Sequence, residues 1–256
     1  MKVVLKEGNM KFKKLLTVLG CFVLVLMCAF TFVGCGEVDA TAEEVDAFLA
    51  SDSVDVSMDE GIYFDVNVYG SVNGENVSVK MKGQIDKEGK GQFNLNFNAG
   101  EEKQNTTIYL DGNYAYFQDT KTKIALNEYT DAEGPESVGG YVKGIYDCIE
   151  DSSEALTELI NMFGSNKNFK LQKKGDAEKG NITFIGSVNT EAYTNKATIR
   201  FDNFKITEVG LESKVSMAMD EYTMNLTMYE TLKVYNGSVT LPSNLSEYET
   251  VSNIEY

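Results

Sequence analysis

The Cys35 thiol is the side chain with the clearest chemical prospect in this sequence, because of the residues that precede it. Three lysines between positions 11 and 14 lead into an apolar run over residues 15–33, and Gly34 separates that run from the cysteine. A basic start, an apolar middle and a small residue at the cut are typical of a secretory signal peptide. An uncleaved anchor helix is the alternative, since about 20 apolar residues span a bilayer. Both interpretations put the rest of the chain outside the cytoplasm.

The stretch Phe32-Val33-Gly34-Cys35 resembles the lipobox of bacterial lipoproteins. In that family the cysteine thiol is acylated and the chain is cleaved just before it. The resemblance implies that residues 1–34 are a signal peptide, that Cys35 carries the lipid and that residues 35–40 are a tether. The mature protein would then be held on the extracytoplasmic face of a bacterial membrane. Translation from Met10 is a further hypothesis, because the codons of the preceding Lys-Glu-Gly can form a purine run like a ribosome-binding site.

The remaining residue types exclude the commonest catalytic and metal sites. The sequence contains no histidine, and Arg200 is its only arginine. Cys21 and Cys28 would leave with the signal peptide, so Cys148 would be the one unmodified thiol. Zinc sites of the Cys/His kind, Ser-His-Asp triads and Cys-His pairs are therefore excluded. We expect a non-catalytic protein without a cofactor.

The net charge argues against a nucleic-acid partner. The full chain carries −16, and removing the five lysines and one glutamate of residues 1–34 leaves −20. Phosphate backbones are bound by clustered Lys and Arg, which this chain lacks. The acidic residues are spread along the chain, so they indicate a soluble surface rather than a binding tail.

The pattern of apolar residues predicts a short helix followed by antiparallel strands. Thr41 and Glu44 form a capping box, so we expect a helix over about residues 41–51. Asn73-Gly74 is a strong hairpin signal, which predicts that Ile62 faces Ile85 and that Val68 faces Val79. A second loop at residues 220–221 would pair Met217 with Met224, although a four-residue loop is the alternative.

The hairpin around Asp111-Gly112-Asn113 allows two registers. A three-residue loop would put Leu110 opposite Tyr114 and Ile108 opposite Tyr116, and a two-residue loop is the alternative. Both registers make this segment part of the same antiparallel sheet.

Residues 135–164 interrupt the alternation of the strands. Apolar residues recur there at helical spacing, which predicts a central pair of helices. Strands then resume and end at Pro242, after a last strand through Val239 and Leu241. Residues 243–256 are expected to be a loose C-terminal tail.

This order of elements resembles the LolA-like lipoprotein fold, which outer-membrane lipoprotein carriers share with the mycobacterial LppX and LprG lipoproteins. The resemblance covers residues 41–242 and rests on topology and on the stretch 109–116, Tyr-Leu-Asp-Gly-Asn-Tyr-Ala-Tyr. It implies one α+β domain, mainly antiparallel, with about 10–11 strands in a strongly bent half-barrel. The short N-terminal helix and the central helical pair would lie on the concave side.

Five methionines on one face of this sheet are the only residues that suggest a ligand. Methionine adapts to irregular apolar shapes, so the face could hold acyl chains, but the same side chain also fills ordinary cores. Two functions follow: a membrane-anchored lipoprotein that binds a lipid or another apolar ligand, or a surface interaction protein with a packed core. The methionines concerned are Met81, Met217, Met219, Met224 and Met228.

Overall fold

The computed structural model of the chain describes residues 38–57, 60–100, 102–126, 170–190, 193–219 and 222–251. These residues form one helix of the α type, a 3-10 turn at Leu245–Glu247 and one sheet. The helix α1 is Ala42–Leu49. The strands are β1 Val38–Asp39, β2 Gly61–Val72, β3 Glu75–Asp86, β4 Lys90–Ala99, β5 Glu102–Asp111, β6 Tyr114–Phe117, β7 Thr122–Ala125, β8 Lys170–Asp176, β9 Asn181–Asn189, β10 Tyr193–Asp202, β11 Lys205–Met219, β12 Tyr222–Val234 and β13 Glu249–Thr250.

The sheet consists of two meanders that meet at a single strand pair. Its 13 strands follow the order β1-β8-β9-β10-β11-β12-β2-β3-β4-β5-β6-β7-β13. Neighbours along the chain pair within β2–β7 and within β8–β12, and only the antiparallel pairing of β12 with β2 joins the two halves. All pairs are antiparallel except β7 with β13. The two end strands do not pair with each other, so the described sheet is open and curled.

This architecture confirms the predicted mainly antiparallel fold and is compatible with a half-barrel. The expected 10–11 strands become 13 because β1 and β13 contain two residues each, too few to produce an alternating pattern. The predicted central helical pair over residues 135–164 lies outside the described residues.

The capping box that the sequence predicts at the start of α1 is present. The Glu44 backbone N–H donates to Thr41 Oγ1 at 3.2 Å, and the Thr41 backbone N–H donates to Glu44 Oε2 at 3.1 Å. Two of the four N–H groups left free at a helix start are thus satisfied. Lys173 on β8 donates to Glu44 Oε1 at 2.6 Å, and this bond, more than the others, lowers the pKa of the Glu44 carboxyl. The same residue therefore caps the helix and ties it to the sheet.

The first predicted hairpin has the expected register. Ile62 pairs with Ile85 and Val68 with Val79, around a turn in which Asn73 and Gly74 adopt φ values of 52° and 79°. Two successive positive φ values define the type I′ turn that the Asn-Gly pair favours. The hydrophobic pattern fixes the register, because a slip by one residue would turn the apolar side chains to the polar face.

The hairpin between β5 and β6 has the alternative register. Leu110 faces Ala115 and Ile108 faces Phe117, so the predicted pairing of Leu110 with Tyr114 is wrong and the loop is one residue shorter. The short loop places the apolar side chains of both strands on one face. It moves Tyr116 to the opposite face, where Tyr116 Oη donates to Asp111 Oδ2 at 2.5 Å. Burial, with a smaller contribution from that bond, raises the pKa of Tyr116.

The last long hairpin also has its predicted register. Met217 pairs with Met224, and the ladder continues to Met219 opposite Tyr222. This leaves a two-residue connection, as predicted, rather than a four-residue loop.

The C-terminal segment differs from its prediction. Residues 235–243 form no strand, so the expected strand through Val239 and Leu241 is wrong. The segment is held instead by Asp86, whose Oδ2 accepts from the Val239 backbone N–H at 2.8 Å while Oδ1 accepts from the N–H of Lys90 at 3.0 Å. Beyond Pro242, Tyr248 is buried against Tyr116, and β13 pairs with β7. The predicted loose tail is thus ordered as far as residue 251, because it covers tyrosines on the outer side of β5 and β6.

Candidate functional site

One face of the sheet is apolar along its whole width and forms two clusters. The first apolar cluster is built on β2–β7 and β12, with Phe93, Ile108, Leu110, Phe117 and Met228 at its most buried positions. The second apolar cluster is built on β8–β11 and α1 and contains Val45, Phe48, Phe184, Ile199 and Phe201. Because the strand residues of both clusters share one phase of the strand alternation, we refer to this side of the sheet as the apolar face.

The helix α1 covers part of the second cluster. Phe48 stacks edge-on against Phe184 and Phe201, with ring centroids 5.3 Å and 5.1 Å apart. Such aromatic pairs contribute about 0.5–1.5 kcal/mol beyond the area they bury. The helix therefore closes the apolar face over β9 and β10.

Four of the predicted methionines, Met81, Met217, Met224 and Met228, share the apolar face but have different surroundings. Met81 and Met228 are buried within the first cluster and pack as core residues. Met224 is partly buried at the edge of that cluster, and Met217, which pairs with it, keeps 37% of its surface exposed. Met219 lies at the register position next to Tyr222. The methionines thus divide into a core pair and a group at the β11–β12 hairpin.

The accessible part of the apolar face near its centre is a row of three side chains on adjacent strands. Leu211 on β11 pairs with Glu230 on β12, which pairs with Val66 on β2. All three are partly buried. The next row, Ser213 with Met228 and Val68, is between 0% and 2% exposed. We call Leu211, Glu230 and Val66 the open row, which lies where the two apolar clusters meet.

Glu230 is the one acidic residue of this row and has apolar neighbours. Met228 and Leu232 flank it along the same face of β12, and Val66 and Leu211 lie across from it. Among the described residues, no side chain forms a hydrogen bond or ion pair with its carboxyl. Burial raises the pKa of the Glu230 carboxyl to about 7, because surrounding protein disfavours its charged form.

Two buried polar side chains lie beside Glu230 on the apolar face. Ser213 pairs with Met228, the residue two before Glu230, and Asn195 pairs with Ser213. The Ser213 hydroxyl donates to Asn195 Oδ1. Diagonal neighbours on adjacent strands lie within reach of long side chains. Asn195, Ser213 and Glu230 therefore form a polar strip across β10, β11 and β12.

Sequence reasoning missed Glu230, although a signal for it exists. Apolar residues occupy positions 224, 226, 228, 232 and 234 of β12, so Glu230 interrupts an otherwise complete apolar phase. A charged residue in the buried phase of a strand is uncommon and indicates a site or a partner. The pattern becomes visible only when β12 is followed to its end beyond the hairpin.

The opposite face of the sheet is polar and carries a pair of exposed tyrosines. Tyr69 and Tyr229 stack with ring centroids 6.1 Å apart and planes at 19°. They are 46% and 37% exposed. A hydrogen bond with Tyr69, followed by burial, raises the pKa of Tyr229 to about 12. Across the strands, Tyr69 faces a serine and a threonine, and Tyr229 faces an asparagine and Glu212.

The remaining predicted features fall partly outside the described chain. Cys35 and Cys148 lie outside the described residues. No helix in the described ranges is long and apolar enough to cross a membrane. No group of three or more His, Cys, Asp or Glu side chains there could hold a metal ion.

Among known proteins, the chain is similar to solved structures. No family model matches the sequence, and no curated protein sequence matches it. The crystal structure of LprF from Mycobacterium bovis is similar with a TM-score of 0.39 and 11% sequence identity. The match covers 81% of this chain and 99% of that one.

Proposed function

We propose that this protein is a membrane-anchored bacterial lipoprotein, non-catalytic, that holds a lipid or another apolar ligand against its apolar face. The open row carries the proposal: Leu211 and Val66 keep accessible apolar surface near the centre of the apolar face, beside a row of side chains that is at most 2% exposed. Ligand sites are mostly apolar concavities with a few polar groups that orient the ligand. The open row and the polar strip beside it have this composition.

Bound ligand can be measured directly. Residues 36–256, expressed without the anchor cysteine, should co-purify with an apolar molecule that organic extraction and mass spectrometry detect. Starting at residue 36 removes any lipid attached covalently to Cys35. Absence of extractable lipid from repeated preparations, together with no binding of an apolar dye, would refute the carrier function.

Two valine-to-phenylalanine variants test whether the ligand lies at the open row. Val66→Phe adds apolar volume at the row, where the partly exposed side chain leaves room, and should reduce bound ligand severalfold. Val38→Phe makes the same change on β1, where the side chain is 68% exposed, and should leave ligand binding as in the unmodified protein. Equal ligand content in both variants would place the site elsewhere.

The lipid anchor is tested by Cys35→Ser. An oxygen nucleophile in place of the thiol should prevent acylation, so the protein should leave the membrane fraction or keep residues 1–34. Fractionation followed by mass spectrometry of the N-terminus distinguishes the two results. Unchanged membrane association and processing would contradict lipidation.

The Tyr69–Tyr229 pair supports the second candidate, a surface protein that acts through partner contacts. Aromatic side chains are enriched at the centres of protein interfaces. The two candidates separate in the extraction experiment, because an interaction protein with a packed core would contain no ligand.

A further inference from the structure

Two carboxylates on the neighbouring strand β11 have lysine partners, whereas Glu230 has none among the described residues. Glu212 lies 3.1 Å from Lys214, and Glu208 lies 3.3 Å from Lys233, both on the polar face. Glu230 belongs to the same pair of strands but to the apolar phase. Its nearest described neighbours on the apolar face of β2, β11 and β12 are all uncharged. The described part of the sheet therefore places a lysine beside these two carboxylates of the polar face and none beside the carboxyl of the open row.

An unpaired carboxylate among apolar side chains is unfavourable, because it loses its water without gaining a partner. A glutamine or an apolar residue would fit the same position at a smaller cost. A ligand with a positive charge would offset this unfavourable free energy by pairing with the carboxylate. Because Leu211 and Val66 keep accessible surface on both sides of Glu230, a ligand can reach its carboxyl from the open row.

We propose that the apolar ligand carries an amino group, and that its ammonium pairs with Glu230 while the chain lies along the apolar face. This inference rests on the proposed function and names the chemical class of the ligand. An ammonium has three N–H donors and forms charge-assisted hydrogen bonds with a carboxylate. The neighbouring Asn195 and Ser213 extend the polar strip, so that further polar atoms of the head group lie beside amide and hydroxyl groups rather than aliphatic ones.

The test compares probes that differ only in their head group. Decylamine and decanol are titrated by calorimetry into the delipidated chain starting at residue 36, at a pH near 8 where Glu230 is mostly ionised. Hydrogen bonds to charged groups are stronger than neutral ones, so decylamine should bind about 10–100-fold more tightly than decanol. Circular dichroism checks that the fold survives both probes.

Two variants test whether Glu230 causes the preference for decylamine over decanol. Glu230→Gln keeps the shape of the side chain and removes its charge, so the amine preference should disappear while decanol binding remains. Glu212→Gln removes the same charge from the polar face and should leave the preference unchanged. This control excludes a general attraction of cations to an acidic protein.

The outcomes distinguish the pairing of an amino group with Glu230 from the binding of an apolar ligand as such. Binding of decanol and decylamine with equal affinity to the unmodified chain, or an amine preference that survives Glu230→Gln, would overturn this inference and leave the apolar site intact. Binding of neither probe would overturn the proposed function together with it.

Discussion

Replacing Gly70 with alanine is expected to lower the free energy of unfolding by about 3 kcal/mol or more, because backbone strain and a steric clash add. Gly70 has a φ of 154°, and a Cβ at this position would lie 1.9 Å from the backbone oxygen of Asn225. Both residues belong to the pairing of β2 with β12. The clash therefore falls on the strand pair that joins the two halves of the sheet. Chemical denaturation followed by circular dichroism measures the loss.

Gly210→Ala is the matched control for this prediction. Gly210 lies within β11, where a Cβ would approach nothing closer than Thr198 Cβ at 3.8 Å. Alanine there restricts the unfolded chain without straining the folded one, so we expect a change between zero and a gain of about 1 kcal/mol. Similar free energies of unfolding for Gly70→Ala and Gly210→Ala would contradict this prediction, because β2 and β12 could then move apart without loss of stability.

The second large effect is a pH-dependent gain in stability for Glu230→Gln. Burial raises the pKa of Glu230 from 4.5 to about 7, so between these values the folded state binds more protons than the unfolded state. The free energy of unfolding therefore falls as the pH rises through this window. At acidic pH the carboxyl is protonated in both states and glutamine should be equivalent. Near pH 8, we expect the variant to be more stable by about 2–3 kcal/mol.

Denaturation curves recorded from about pH 4 to pH 8 test whether the stability gain of Glu230→Gln increases with pH. Glu212→Gln provides the control, because Glu212 lies on the polar face, where it forms a partly exposed ion pair with Lys214 and interacts with Tyr229. Its replacement should change stability by less than about 1 kcal/mol. A Glu230→Gln variant whose advantage does not grow with pH would show that the carboxyl is not held in an apolar environment.

The two Glu230 experiments are linked through the cost of the unpaired charge. The carboxylate destabilises the empty protein above neutral pH, and an ammonium bound beside it should restore that stability. Binding sites commonly retain a destabilising residue because function requires it. The thermal stability of the unmodified chain should therefore rise more with decylamine than with decanol, in the same order as their affinities.

The sequence by itself determined the local elements of this protein. Thr41 and Glu44 define the start of α1, and Asn73-Gly74 defines both the turn and the register of β2 with β3. The alternation of β11 with β12 predicts the pairing of Met217 with Met224. Each of these features depends on residues a few positions apart, whose hydrogen bonds and φ preferences act without the rest of the fold.

Only the tertiary structure decided how these elements combine. The register of β5 with β6 depends on which face of the sheet is buried, and the ordered segment after Pro242 depends on tyrosines that it covers from far along the chain. The open row joins Leu211, Glu230 and Val66 because β12 pairs with β2 across more than 150 residues. Contacts between distant strands leave no local pattern in the sequence. The entropy lost on closing the long segment between them is offset only by the assembled sheet. The sequence therefore indicates an apolar face, and the tertiary structure places at its centre one carboxyl that has no partner among the described residues.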